Sequence, residues 1–230
     1  MIETFRSHQR GRSAFSWLRS QHSFSFGDYH DSRRMGFSAL RVINDDEVAA
    51  GAGFDTHRHR NMEIISYVLS GEIRHRDSEG NVERLPAGEF QLMSAGSGIS
   101  HSEYNGSSAD PLRFLQVWIE PNVRDEQPGY QQKDFGLEPG LTLVASPDGS
   151  DSSLTIRQDA RLYQLLLGPG DSAPLSLDAG RKLYVHVVDG PLEAANEVLK
   201  AGDGLQASEV EAMVFRAQDA SVRALVFDLP

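Results

Sequence analysis

The chain has 230 residues, 39% of them hydrophobic and 24% charged, proportions that fit a soluble globular protein with room for two compact domains. A net charge of −11 disfavours direct nucleic-acid binding, and no apolar run is long enough for a membrane span. The absence of cysteine removes disulfides, thiolate zinc sites, iron–sulfur clusters and cysteine nucleophiles together, so any metal must sit on imidazoles and carboxylates.

In chain order, residues 1–17 carry basic residues without an apolar core, so no signal peptide is expected and a cytoplasmic location follows by default. The alternating stretch His22–Phe26 suggests a strand packed on a barrel. Phe37–Ile43, Glu63–Val68, Gly71–Arg76, Glu89–Met93 and Leu112–Ile119 read as strands rich in β-branched or aromatic residues. Asn44–Asp46, Asp77–Asn81, Pro86–Gly88 and Asn105–Pro111 read as the turns between them. Residues 120–140 are polar and carry three prolines, as an exposed connection would. Beyond it, Leu141–Ala145, Leu154–Arg157, Leu162–Leu167, Leu183–Asp189, Glu211–Arg216 and Val222–Asp228 continue the pattern. No long helical period intervenes. The expectation is an all-β chain of two tandem β-barrel (jelly-roll) domains, residues 1–130 and 131–230.

The halves echo each other. Tyr67–Ile73 resembles Val185–Leu192 around Gly71 and Gly190, and Leu85–Glu89 resembles Leu199–Asp203 around Gly88 and Gly202. The chemistry does not repeat. Aligned on these glycines, His57 and His59 fall opposite Ser176 and Asp178, while His101 and Glu103 fall opposite Phe215 and Ala217. The second domain is therefore expected to lack metal ligands, with its one histidine, His186, structural.

The chemically informative residues form two pairs, His57-x-His59 and His101-x-Glu103. In a strand, residues two apart share a face, so two such pairs on neighbouring strands can converge on one cation. Three imidazoles and a carboxylate suit Fe(II), Ni(II), Mn(II), Co(II), Cu(II) or Zn(II) and leave coordination positions open. His8, His22, His30 and His75 are expected to have no metal role, although His22 or His75 could reach a pocket rim.

These residues resemble the cupin family. Gly51, His57, His59, Glu63 and Gly71 follow its first motif with one extra residue before the last glycine; Gly98, His101 and Asn105 follow the end of its second, with Gly96 where many cupins have proline. The phrases MGFSALRVINDD, EIISYVLSGEIRHRDSEGN, LPAGEFQLMSAGSGISHSEYN and FLQVWIEP resemble bacterial pirin-like proteins more specifically, over about residues 10–135. The resemblance implies a bicupin with one divalent metal ion in its N-terminal domain, usually Fe(II), on His57, His59, His101 and Glu103. Many other cupins use the glutamate of the first motif, which is Glu63 here; strand alternation favours Glu103, leaving Glu63 as a candidate for orienting a histidine. Arg58 departs from the proline usual in pirin-like sequences, and its side chain is expected to point away from the metal.

Some pirin-like proteins are quercetin 2,3-dioxygenases, which implies a metal-dependent oxidoreductase that opens the central ring of a flavonol with O2 and releases CO. Glu103 would then also act catalytically, accepting the flavonol hydroxyl proton. The resemblance implies a second class as well, a regulatory metalloprotein acting through a protein partner without turnover. The expected partners are a small-molecule flavonol and O2, with neither nucleic acid nor membrane. Two domains burying each other's barrel edges would suit a monomer.

Overall fold

The computed structural model describes residues 1–230 and is built almost wholly from strands. They are β1 (Ile2–Phe5), β2 (Gly11–Ala14), β3 (Leu18–His22), β4 (Leu40–Val48), β5 (Gly53–His59), β6 (Glu63–Ser70), β7 (Glu72–Asp77) and β8 (Val82–Pro86). Next come β9 (Glu89–Ser94), β10 (Ile99–Asn105), β11 (Leu112–Ile119), β12 (Gly129–Asp134), β13 (Gly140–Ser146), β14 (Leu154–Thr155) and β15 (Arg161–Leu167). The chain ends with β16 (Ser172–Ser176), β17 (Lys182–Asp189), β18 (Leu192–Ala194), β19 (Glu197–Leu199), β20 (Gly204–Ser208), β21 (Ala212–Ala217) and β22 (Val222–Leu229). No helix is long and apolar enough to cross a membrane.

One compact unit holds residues 11–135 and 156–158; the other holds 1–10, 136–155 and 159–230. The first has a seven-stranded sheet β12-β9-β6-β11-β4-β3-β2 and a four-stranded sheet β5-β10-β7-β8. The second has β1-β20-β17-β22-β15-β13-β14 and β16-β21-β18-β19. The two orders correspond except at one edge, where β14 joins β13 in parallel while β2 joins β3 antiparallel, so the echo around the glycines reflects a repeated architecture: the fold is a bicupin of two jelly-roll barrels.

The units depart from the 130/131 division in two places. The stretch read as an exposed connection contains β12, which pairs with β9 from Gly129↔Ser94 to Asp134↔Glu89, so the first unit continues to residue 135. The first ten residues belong to the second unit, where β1 pairs with β20 from Ile2↔Ala207 to Phe5↔Gly204. β1 thus covers in the second sheet the edge that β12 covers in the first, a protection that exposed sheet edges require.

Three local expectations also give way. Asn44–Asp46 is no turn but the middle of β4; His22 and Arg113 take up Asn44 and Asp45, so their polar groups can sit in a strand. The strand expected over His22–Phe26 stops at His22. That expected over Leu154–Arg157 is only Leu154–Thr155, after which residues 156–158 join the first unit.

The interior of the first barrel is layered, and strand alternation does the layering. Along β6, Ile64, Ser66 and Val68 share a face; along β11 it is Phe114, Gln116 and Trp118; along β10 it is Ile99, His101 and Glu103. One end is apolar, with Val68, Ile73, Leu85, Leu112 and Phe114, each side chain contributing about 1.5–3 kcal/mol on burial. The other end is the apolar group Ile64, Met93, Ala95 and Ile99, with Trp118 against it. Between them the same faces present Ser66, Gln116, His101 and Glu103, all buried. An apolar core would be the stable default here, because buried polar groups cost free energy unless paired. A polar middle layer marks a site.

Candidate metal centre

Three of the four expected ligands meet on the β5–β10 pair. Opposite residues are His57↔His101 and Phe54↔Glu103, so β5 carries one extra residue between Phe54 and His57. This bulge turns Phe54, His57 and His59 inward and leaves Asp55, Thr56 and Arg58 exposed. Arg58 therefore lies on the outer side, as its alternation with the two histidines requires. Gly53 allows the close pairing: a Cβ there would collide with the Glu103 carbonyl oxygen. Gly96 is needed differently, with φ of +47° and the Glu126 carbonyl where a Cβ would stand.

His57, His59 and His101 offer ring nitrogens that all lie within 4.8 Å of one another. The Nε2 atoms of His57 and His101 face each other at 3.1 Å, and the Asp55 carbonyl oxygen sits 2.7 Å from His57 Nδ1. A carbonyl can only accept, so it fixes the proton on Nδ1 and leaves Nε2 with its lone pair toward the cluster. Burial, then the neighbouring imidazoles, lowers His59 from 6.5 to about 4 and His101 to about 3. Both are neutral at neutral pH, the form that binds metal. The donors present thus fit a divalent cation: convergent neutral imidazoles, one of them with its tautomer set for ligation.

Glu103 stands beside this cluster and shares His101 with it. Its carboxylate, His101 and His75 form a second group with ligand atoms within 4.8 Å of one another. Both oxygens are held: Ser66 Oγ donates to Oε1 at 3.2 Å and Gln116 Nε2 to Oε2 at 2.8 Å, while Trp118 Nε1 donates to Gln116 Oε1 at 3.2 Å. Glu63 is elsewhere. It alternates with Ser66 on β6, so it faces away from the site, accepting from Ser94 Oγ and the Arg157 backbone N–H rather than orienting a histidine.

His75, expected to have no metal role though able to reach a pocket rim, stands in that second group. It lies on β7 opposite Glu103, 1% exposed, with Nε2 3.1 Å from Asp77 Oδ2 and its ring 5.4 Å from that of His101. The signal was present, since His75-x-Asp77 has the same two-residue spacing as the ligand pairs. His22 lines a smaller cavity, as its rim position suggested, and His8 and His30 are exposed.

The imidazoles open onto a cavity of about 690 Å³ walled by Trp17, Phe26, Phe54 and Trp118, with His57 and His59 in its lining. That is an open cleft, mainly apolar and aromatic with a few polar groups, the usual lining of a small-molecule site.

The lowered imidazole values carry a pH prediction for the metal-free chain. The unfolded chain takes up protons at these two positions below 6.5, the folded chain only near 4 and 3. Their contribution to stability is therefore full above pH 6.5 and is lost as pH falls through the folded values. Asp46, raised to about 7 by burial, acts with the opposite sign, stabilising at low pH and ceasing to as pH rises through 7. Urea midpoints between pH 6.5 and 5 should thus rise less with pH in His59→Gln than in the unsubstituted chain. Identical slopes would contradict the neutral, partly desolvated assignment of His59.

The comparisons with known proteins agree with this architecture. Residues 4–119 match the family model described as pirin, and residues 143–229 match one described as the quercetinase C-terminal cupin domain. A protein of Escherichia coli K12 named quercetin 2,3-dioxygenase is 45% identical over 230 residues, covering 100% of this chain and 99% of its own. The crystal structure of the bacterial pirin YhhW from E. coli, in complex with nickel(II), superposes with a TM-score of 0.97 at 44% identity, covering 100% of this chain and 99% of that one. A pirin-like protein, YhaK of E. coli K12, is 36% identical over 236 residues and the full length of both chains.

Proposed function

The chain belongs to the pirin family, and from that premise we propose that it is a metal-dependent dioxygenase opening the central ring of flavonols such as quercetin with O2 and releasing CO. The observation that carries this is the juxtaposition of three convergent imidazoles with an aromatic-walled cavity. A flavonol is planar, aromatic and hydroxylated at the ring to be opened, and such a site matches it in shape and polarity.

In this proposal His57, His59, His101 and Glu103 hold one divalent ion. The ion would be Fe(II), although the donor set suits Ni(II), Mn(II), Co(II), Cu(II) and Zn(II) as well. A bound cation supplies Lewis acidity, lowering the pKa of a substrate hydroxyl beside it. Glu103 accepts that hydroxyl proton, with Ser66 and Gln116 fixing the direction of its lone pairs. The Asp55 carbonyl keeps His57 in the ligating tautomer. Trp17, Phe26, Phe54 and Trp118 pack against the apolar body of the substrate. The proposed form is a cytoplasmic monomer acting on small molecules.

The test is to load the chain anaerobically with Fe(II), determine metal content, and follow O2 consumption and CO release with quercetin. One ion per chain with CO formed as O2 is consumed is the expected result. One ion per chain with no quercetin-dependent uptake would overturn the proposal, and a stable complex with a protein from cell extract would then point to the regulatory class.

A further inference from the structure

Beside the imidazole cluster lies a pair that the proposed chemistry does not use, His75 and Asp77 on β7. In the β7–β10 ladder His75 stands opposite Glu103 and Asp77 opposite His101. All four side chains are buried, so they enter the same interior.

Asp77 is held firmly. One carboxylate oxygen accepts the backbone N–H groups of Glu79 and Asn81 at 2.9 and 3.0 Å. The other accepts from Asn81 Nδ2 at 2.8 Å and faces His75 Nε2 at 3.1 Å. Surrounded by donors, the group is a carboxylate and can only accept. The proton His75 shares with it therefore sits on Nε2, and the ring presents a lone pair at Nδ1. That atom is buried and has no hydrogen-bond partner.

His101 has the complementary need. Its Nε2 faces His57 Nε2 at 3.1 Å, so an ion in the proposed site takes the Nε2 lone pair and leaves the ring proton on Nδ1. His101 Nδ1 is likewise buried without a partner. One nitrogen lacks a donor and the other lacks an acceptor, and unpaired buried polar atoms are rare enough to call for a reason. The two ring centroids are 5.4 Å apart, the planes are tilted by 49°, and ring nitrogens of the two residues lie within 4.8 Å of each other. The outer torsion of an imidazole is soft, so a small ring rotation closes such a gap. Glu103, the other neighbour of His75, already accepts from Ser66 and Gln116 and has no proton to offer a lone pair.

We propose that Asp77 and His75 are positioning residues that act on the metal through His101. Asp77 sets the His75 tautomer, and His75 Nδ1 accepts the His101 Nδ1–H, fixing that ring with Nε2 toward the ion. A ligating imidazole whose other N–H is held in this way is better directed and more basic. The Asp55 carbonyl does the same for His57. The inference rests on the ligand set proposed above and not on the flavonol reading.

Zn(II) suits the donor set and has no redox chemistry, so it allows a test without turnover. The chain, its histidines isotope-labelled, is loaded with one equivalent of Zn(II), and long-range proton–nitrogen NMR spectra report which ring nitrogens carry protons. The His75 signals are assigned by contacts to Tyr130, whose ring lies 4.9 Å away. His75 should be protonated on Nε2 alone, and His101 on Nδ1 with Nε2 on the metal. In Asp77→Asn the new carboxamide can keep its oxygen on the two backbone N–H groups and turn its NH2 to His75. That drives the His75 proton to Nδ1, against the His101 N–H. Zinc affinity, read by chelator competition, should fall roughly 10–100-fold in Asp77→Asn and in His75→Phe. A His75 protonated on Nδ1, or on both nitrogens, in the unsubstituted zinc-loaded chain would mean that it serves Glu103 and would overturn the inference. Zinc affinity within about twofold of the unsubstituted chain in both variants would do the same. If the unsubstituted chain binds no zinc, the ligand set and this inference fall together; bound zinc with the wrong His75 tautomer removes this inference alone.

Discussion

The His57→Ala/His59→Ala double variant is expected to lose stoichiometric nickel or iron binding, its affinity falling by more than about 10²-fold, and quercetin-dependent oxygen consumption with it. Removing even a group that only supports a ligand typically costs 10–100-fold, and here two of three imidazoles disappear. The variant is informative because little else depends on these side chains. Both are half-buried on β5, at the mouth of the aromatic cavity rather than in either apolar layer, so metal-free stability should stay within about 1 kcal/mol of the unsubstituted chain. Metal then provides the contrast. At a free concentration about 100 times Kd, an ion that binds only the folded chain adds about 2.7 kcal/mol, or roughly 5–10 °C in Tm for a chain of this size. Calorimetry with and without nickel should show that rise in the unsubstituted chain and none in the variant. A variant retaining one ion per chain would remove the basis of the proposed centre.

The proposed ligand pairs were legible as pairs because a strand places residues two apart on one face, and both lie in strands: His57 and His59 on β5, His101 and Glu103 on β10. The same rule makes Glu63 face away, since it alternates with Ser66, whose hydroxyl reaches Glu103. The groups that hold Glu103 were harder to see. Ser66 and Gln116 interrupt apolar strands, and isolated polar residues in such runs carry no spacing signal of their own; only the three-dimensional layer shows that they converge. Asn44–Asp46 misled in the opposite direction. Turn chemistry favours such residues, yet partners on neighbouring strands keep them in the middle of β4, where Asp46 reaches the smaller cavity.

The duplicated fold was visible through its turn glycines. Gly71 and Gly190 have φ of +85° and +76°, and Gly88 and Gly202 have +94° and +80°, so glycine is kept at equivalent bends in both halves. What could not be read was the exchange at the edges. β1 pairs with β20 across about two hundred residues, and no local pattern announces so distant a partner. β12 was concealed by the prolines and polar residues around it; its half-buried side chains lack the apolar run that marks an interior strand.

Glu103→Gln should separate the two roles proposed for the carboxylate. The substitution preserves volume but removes the charge, and it turns an amide toward Ser66 and Gln116, both of which now donate to oxygen. The glutamine oxygen can satisfy one donor; its NH2 must then face the other, which Ser66 can relieve by rotating its hydroxyl and Gln116 only by flipping its amide away from Trp118. Nickel affinity should fall by at least about tenfold, because a ligand anion is lost and its neighbours are no longer matched. At saturating metal, kcat for quercetin should still fall by about 10²–10⁴-fold, the range that a positioned general base supplies. The two readouts fail independently. Unchanged nickel affinity would remove Glu103 from the ligand set, and full kcat at saturating metal would remove it as the base. Gln116→Met tests orientation through metal affinity read without substrate, since Gln116 also lines the cavity: the carboxylate remains, one of its two donors is gone, and losses of roughly 10–100-fold in metal affinity or rate are expected. If Gln116→Met matches the unsubstituted chain in both measurements while Glu103→Gln does not, the carboxylate acts without the hydrogen bonds that now direct it.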